Sequence, residues 1–182
     1  MCITIRIFIL LSIYSILSCT NKNYNKEHYQ GFKSMDTIVE QIVQSIKTQD
    51  ENKLLNMLDN EALIFDLLNY STGKDAKKTK AYLATKEGKL NFSREQMSKK
   101  QRINAFLTDG LKTQINLNTK VFRSTGFELQ SEKPFSEGSS ATIQSYRIML
   151  NNDDKKNYSY DIKVIYWYNK YHLIETAGFL NM

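Results

Sequence analysis

The chain is poor in the residues that make chemistry easy to recognise. Its two cysteines, Cys2 and Cys19, both precede residue 20, so the rest of the chain can form no disulfide and offers no thiol nucleophile. Its two histidines, His28 and His172, have no second ligand at metal spacing, which argues against a zinc or iron site. The seven glycines are scattered singly, so a phosphate-cradling loop and a nucleotide fingerprint are missing, as is a Gly-x-Ser-x-Gly elbow. A single proline, with 41% hydrophobic and 24% charged residues, excludes a disordered or fibrous chain. No period of roughly twenty to fifty residues recurs, which excludes a repeat array. No cofactor is implied by any of this.

What is present begins at the amino terminus. Arg6 is followed by an apolar run over residues 7–17, broken only by Ser12, Tyr14 and Ser15. That run has the length of a signal-peptide core and falls short of the ~20 residues a bilayer span needs. Ile16-Leu17-Ser18-Cys19 comes next, and then the polar stretch Thr20-Asn21-Lys22-Asn23. An aliphatic residue three before the cysteine and a small residue directly before it resemble the bacterial lipobox. Leu17 departs from the small residue preferred there, and leaders ending in this way are similar to those of Bacteroidota lipoproteins. The resemblance implies cleavage after residue 18, lipidation of Cys19 and an envelope location. Several acyl chains make such an anchor effectively permanent. Thr20 replaces the aspartate that holds some lipoproteins in the inner membrane, so the outer membrane is the expected address. Removal of residues 1–18 leaves 164, enough for one domain.

Residues 19–35 read as a lipidated tether and 36–182 as one domain. Ile38, Val39, Ile42, Val43 and Ile46 fall at helical spacing, with Ser34 or Asp36 as the cap. After a break at Gln49-Asp50, Leu54, Leu55 and Leu58 continue in a second helical segment. Residues 61–68 are apolar enough for either a helix or a buried strand. Residues 69–92 look least like core. Ser93 with Gln96 then predicts a capping box, Phe92 with Met97 a hydrophobic staple, and Asp109-Gly110 a helix end, with Met97, Ile103, Phe106 and Leu107 facing inward.

From residue 111 the period changes to two, predicting a strand over 111–121. Ser124-Thr125-Gly126 reads as a bulge or turn and residues 134–140 as a loop. Strands over 141–150 and 158–168 follow, with a hairpin turn at Asn169-Lys170 leading into 171–176. Helices first and a meander last predict an α+β domain with its helices on one face of a curved antiparallel sheet. This order resembles the nuclear transport factor 2-like, or SnoaL-like, cone fold over most of residues 36–178.

The hairpin suggests a site. With Asn169-Lys170 as the loop, Tyr168 pairs with Tyr171, Tyr166 with Leu173 and Val164 with Glu175. One face then carries Tyr160, Tyr166, Tyr168, Tyr171 and Glu175, as candidates for a small apolar ligand or as plain core packing. The resemblance to the cone fold implies that Glu175 could serve as a general base in an isomerase or hydratase. Separately, residues 74–102 hold ten basic residues against three acidic ones, while 36–66 hold seven acids against two lysines. Lys77, Lys78 and Lys80 are therefore candidates for contact with an anionic surface or an acidic partner, or for a solvated face. An export signal and few aromatics argue against nucleic acid. Three functional classes follow: an envelope lipoprotein binding a partner protein or small ligand, an inhibitor or immunity-type protein, and a small enzyme using Glu175.

Overall fold

The computed structural model describes residues 29, 31–58, 61–109, 123–151 and 157–181. Ser34, in extended conformation, accepts a bond from the Thr37 amide and starts helix α1, Met35–Thr48. Its apolar stripe, Ile38, Val39, Ile42, Val43 and Ile46, is buried throughout, each residue contributing about 1.5–3 kcal/mol by leaving water. The helix ends at Gln49, which takes the left-handed conformation (φ 53°) while Asp50 N–H donates to the Ser45 carbonyl. Asp50 at once caps α2, Glu51–Met57, by accepting from the Lys53 amide at 2.9 Å.

Residues 61–68, ambiguous by period, lie in helix α3, Glu61–Tyr70. The segment expected to be least core-like is also helical. It forms α4, Lys74–Ala84, and the first turns of α5, Lys86–Asp109. The capping box expected at Ser93 lies inside α5, because an earlier cap prevails: Thr85 Oγ1 accepts from the Gly88 amide at 3.0 Å. Gly88 lies so close to the Tyr82 carbonyl that a Cβ there would clash with backbone, which explains how α4 and α5 meet at a sharp corner. Phe92 packs on Phe65, with ring centroids 5.2 Å apart, and does not staple Met97. Met97, expected to be buried, is 55% exposed. The expected burial of Ile103 is observed. The side chains of Phe106 and Leu107, and the strand expected over 111–121, lie outside the described residues.

Among the described residues four strands follow in the order β1-β2-β3-β4, all antiparallel: β1 Arg123–Pro134, β2 Thr142–Asn151, β3 Asn157–Trp167 and β4 Lys170–Asn181. The architecture is α+β. Ser124-Thr125-Gly126 marks a bulge inside β1, an edge strand that ends on Pro134, where a missing N–H is tolerated. The last turn is Tyr168-Asn169, one residue earlier than expected, and the pairs are Tyr166↔Tyr171, Ile165↔His172 and Val164↔Leu173. Both turn residues have positive φ (48° and 59°), the geometry that matches the twist of a two-residue hairpin. Moving the turn by one residue shifts every pair by two, so Tyr166, Tyr171 and Leu173 keep their face.

Residues of both parities are buried in the sheet. On one face Tyr146, Ile148, Leu150, Tyr158, Tyr160, Ile162, Val164 and Leu173 pack with α1, with Leu54 and Met57 of α2, and with Ile103 of α5. On the other face Ile165 and Trp167, with Ala141, pack under Leu63 and Leu67 of α3. The helices therefore cover most of one face and one end of the second, and are not confined to one face as the pattern suggested. Leu68, Ala76 and Leu83 join α3 to the α4–α5 hairpin through Phe65, Phe92 and Phe135.

The chain is also docked earlier than Asp36. Phe32 and Tyr171 exchange two 2.8 Å backbone bonds, extending the β4 edge, and the Tyr29 hydroxyl donates to Asp66. Gly31 is required at this contact: a Cβ there would lie 2.5 Å from His172 Cε1 and 2.8 Å from Lys170 Cβ.

Candidate functional site

The tyrosine face is mostly core. Tyr160 is 1% exposed, and burial pushes its phenol up to about 12. Tyr166 and Tyr171 are half-buried at the end of this face, with ring centroids 4.7 Å apart, and the Tyr166 hydroxyl donates to Asn169 Oδ1. Beside them the Tyr146 hydroxyl donates to Gln144 Oε1, and the Gln144 amide donates to Glu132 Oε1, both at 2.9 Å. Burial, and then the neighbouring Tyr171, raise the Tyr146 phenol, while the bond from Gln144 holds Glu132 below its ordinary range. Tyr168 lies in the turn, exposed, with its ring against Trp167.

Glu175 lies on the opposite face from the tyrosines. A bulge in β4 places one extra residue between Leu173, paired with Val164, and Glu175, paired with Lys163. This corrects the expected Val164–Glu175 pair. The structure therefore brings together Tyr166 and Tyr171, leaves Tyr160 in the core, and sends Tyr168 and Glu175 elsewhere.

The second face, where α3 does not cover it, holds the polar constellation. Arg147 on β2 grips Asp161 on β3 through Nε at 2.9 Å and Nη2 at 3.0 Å, a fork geometry that raises the guanidinium further above its ordinary value. Lys163 Nζ donates to Glu175 Oε2 at 2.8 Å. The register sets these pairs in adjacent rows: Arg147 opposite Asp161, and Ser145 opposite Lys163 opposite Glu175. Together with Gln130 from β1 they line a groove of about 290 Å³. Both ion pairs remain partly exposed, so each adds only about 0.2–1 kcal/mol to stability. Their net charge is zero, and the groove presents donors and acceptors side by side.

The sequence pattern did not single out Arg147, Ser145 or Gln130. The signal available was parity: the odd positions Ile143, Ser145, Arg147 and Met149 form a second, more polar row opposite the buried one. Lys77, Lys78 and Lys80 all lie exposed on α4, apart from the groove lining. Among the described residues no three His, Cys, Asp or Glu side chains gather as a metal site would need, and no helix is long and apolar enough to cross a membrane.

Comparison with protein-family models, with curated proteins and with solved structures finds no match. Among the described residues this is an α+β fold with one sheet face mostly covered by helices and the other half open, with a groove edged by paired charges.

Proposed function

We propose that the chain is an envelope lipoprotein anchored through Cys19, whose domain binds a partner protein on the open face of its sheet. The observation that supports this reading is the groove bordered by Gln130, Ser145, Arg147, Asp161, Lys163 and Glu175. A small apolar ligand needs a dry, apolar pocket. The tyrosine face that was its candidate is packed with side chains, Tyr158 and Tyr160 among them. The groove is instead half open to solvent and edged by paired charges, and at about 290 Å³ it sits at the lower limit of ligand cavities. Its alternating charges suit a polar segment of a partner, where complementary pairs set register and partner choice more than raw affinity. The isomerase reading loses support from Glu175 itself: a carboxylate half exposed and paired with Lys163 lacks the apolar surroundings that make a general base.

The test is site-specific photocrosslinking in cells that make the protein. A crosslinker at Ser145 is expected to give one discrete adduct, lost on Arg147→Glu with Lys163→Glu. The same crosslinker at Lys133, exposed on β1, serves as the control. Adducts equal at both positions, or unchanged by the charge reversals, would remove the sheet face as the binding surface.

A further inference from the structure

The α4–α5 hairpin is the most exposed part of the described chain, and its exposure is patterned. Over residues 86–103 of α5 the buried or half-buried residues are Gly88, Phe92, Gln96, Lys99 and Ile103. Their spacing of four, four, three and four places them on one narrow stripe facing the body. At roughly 100° per residue, the stripe opposite carries Lys86, Leu90, Arg94, Met97 and Gln101. Leu90 is 49% exposed and Met97 55% exposed, and bases lie before and between them. Of the two acids of this stretch, Glu95 lies off that line and is answered by Lys99 at 3.8 Å, while Glu87 borders it beside the Arg94 row. Tyr82, 44% exposed, is held beside the same helix by Asn91, whose amide donates to its hydroxyl at 2.6 Å.

We infer that the α4–α5 hairpin docks on an anionic lipid surface, with Lys86 and Arg94 at the headgroups and Leu90 and Met97 inserted among them. Each part has a physical reason. Exposed apolar side chains beside bases can each find their place in a bilayer interface, the apolar groups below the headgroups and the bases among them, although α5 lacks the continuous apolar face of a strongly amphipathic helix. A helix of 24 residues is about 36 Å long, and an outward stripe along it meets a plane more readily than a compact partner. Residues 74–102 carry a net charge of +7, complementary to anionic headgroups, and each base near such a surface strengthens binding about fivefold. Lys74, Lys77, Lys78 and Lys80, all exposed on α4, add to the field. The inference rests on the lipid-anchor reading only for the nearness of a membrane.

The test uses the mature chain, residues 19–182, carrying Cys19→Ser, so that no lipid contributes and every described residue is kept. Sedimentation with phosphatidylcholine vesicles, with and without phosphatidylglycerol, gives the partition. Binding is expected to the anionic vesicles only, and to weaken as salt screens the charges. Lys86→Gln with Arg94→Gln is expected to weaken it roughly 25-fold, at about fivefold per charge. Leu90→Ser with Met97→Ser is expected to weaken it roughly tenfold, by removing the inserted apolar groups. Since these side chains are exposed, an unchanged melting temperature shows that the fold is kept. Failure to bind anionic vesicles overturns the inference. So does equal weakening by Lys47→Gln with Lys133→Gln, two exposed lysines off the hairpin. Binding to polyglutamate as strong as to vesicles, and indifferent to Leu90 and Met97, assigns the face to an acidic protein and also overturns it. Because this chain lacks Cys19, none of these outcomes depends on whether Cys19 is lipidated.

Discussion

Replacing Leu63 by alanine tests the two-faced architecture that leaves the groove open. Leu63 is fully buried between α3 and the second sheet face, in a cluster with Leu67, Ala141, Ile165 and Trp167. Truncation removes three carbons, worth about 2.4 kcal/mol at ~0.8 kcal/mol per buried methylene. A cavity term adds to this, since the Trp167 indole is held by a bond from Nε1 to Ser140 Oγ and by the Tyr29 ring 6.1 Å away. The expected loss is about 3–5 kcal/mol, within the range for buried leucine. In a domain of this size that lowers Tm by roughly 6–20 °C. Urea unfolding followed by circular dichroism reads it as a lower midpoint at unchanged slope. Leu90→Ala, at a half-exposed position, is the control and is expected to change stability by under about 0.5 kcal/mol. If Leu63→Ala is as silent as Leu90→Ala, α3 does not cover the second face, and the groove as drawn is wrong.

Two further outcomes follow from buried or strained groups. Tyr160 is buried as a neutral phenol with its pKa raised to about 12, so it stabilises the fold fully below pH 10, and that contribution is lost as pH rises through 12. Ultraviolet titration is expected to show a late-ionising tyrosine, coincident with alkaline unfolding and absent from Tyr160→Phe; ordinary titration near 10 in the folded protein would contradict its burial. Gln49 caps α1 with φ 53°, where any side chain is strained, so Gln49→Gly is expected to raise stability by up to about 1 kcal/mol in thermal melts, and a loss would refute the cap.

What the sequence disclosed depended on how local the signal was. The α1 stripe and its stop at Gln49-Asp50 need only nearby residues, and they appear as read. The hairpin was legible in face but not in register, because period two survives a shift of two and the Tyr168-Asn169 turn lacks the usual glycine. Glu175 was misplaced for a non-local reason: the β4 bulge is set by pairing with β3 and by no motif of its own. The start of α5 was missed because two caps competed. Ser93 with Gln96 fits the familiar spacing, while Thr85 works with Gly88, whose role is visible only beside the Tyr82 carbonyl. The groove was least legible, since Arg147, Asp161, Lys163 and Glu175 come from three strands and read singly as ordinary surface charges.

The proposed lipid on Cys19 would hold the domain at a membrane on a tether of up to about 55 Å, were residues 19–35 extended. Docking of Tyr29 and Phe32 on the domain shortens that reach, so the proposed anchor would restrict what the open face can meet. Mass spectrometry of the amino-terminal peptide from the mature protein tests it most directly. The mature chain is expected to begin at Cys19 and to carry the added mass of a diacylglyceryl group and an amide-linked acyl chain. An unlipidated terminus at any other residue, or an intact leader, would contradict it.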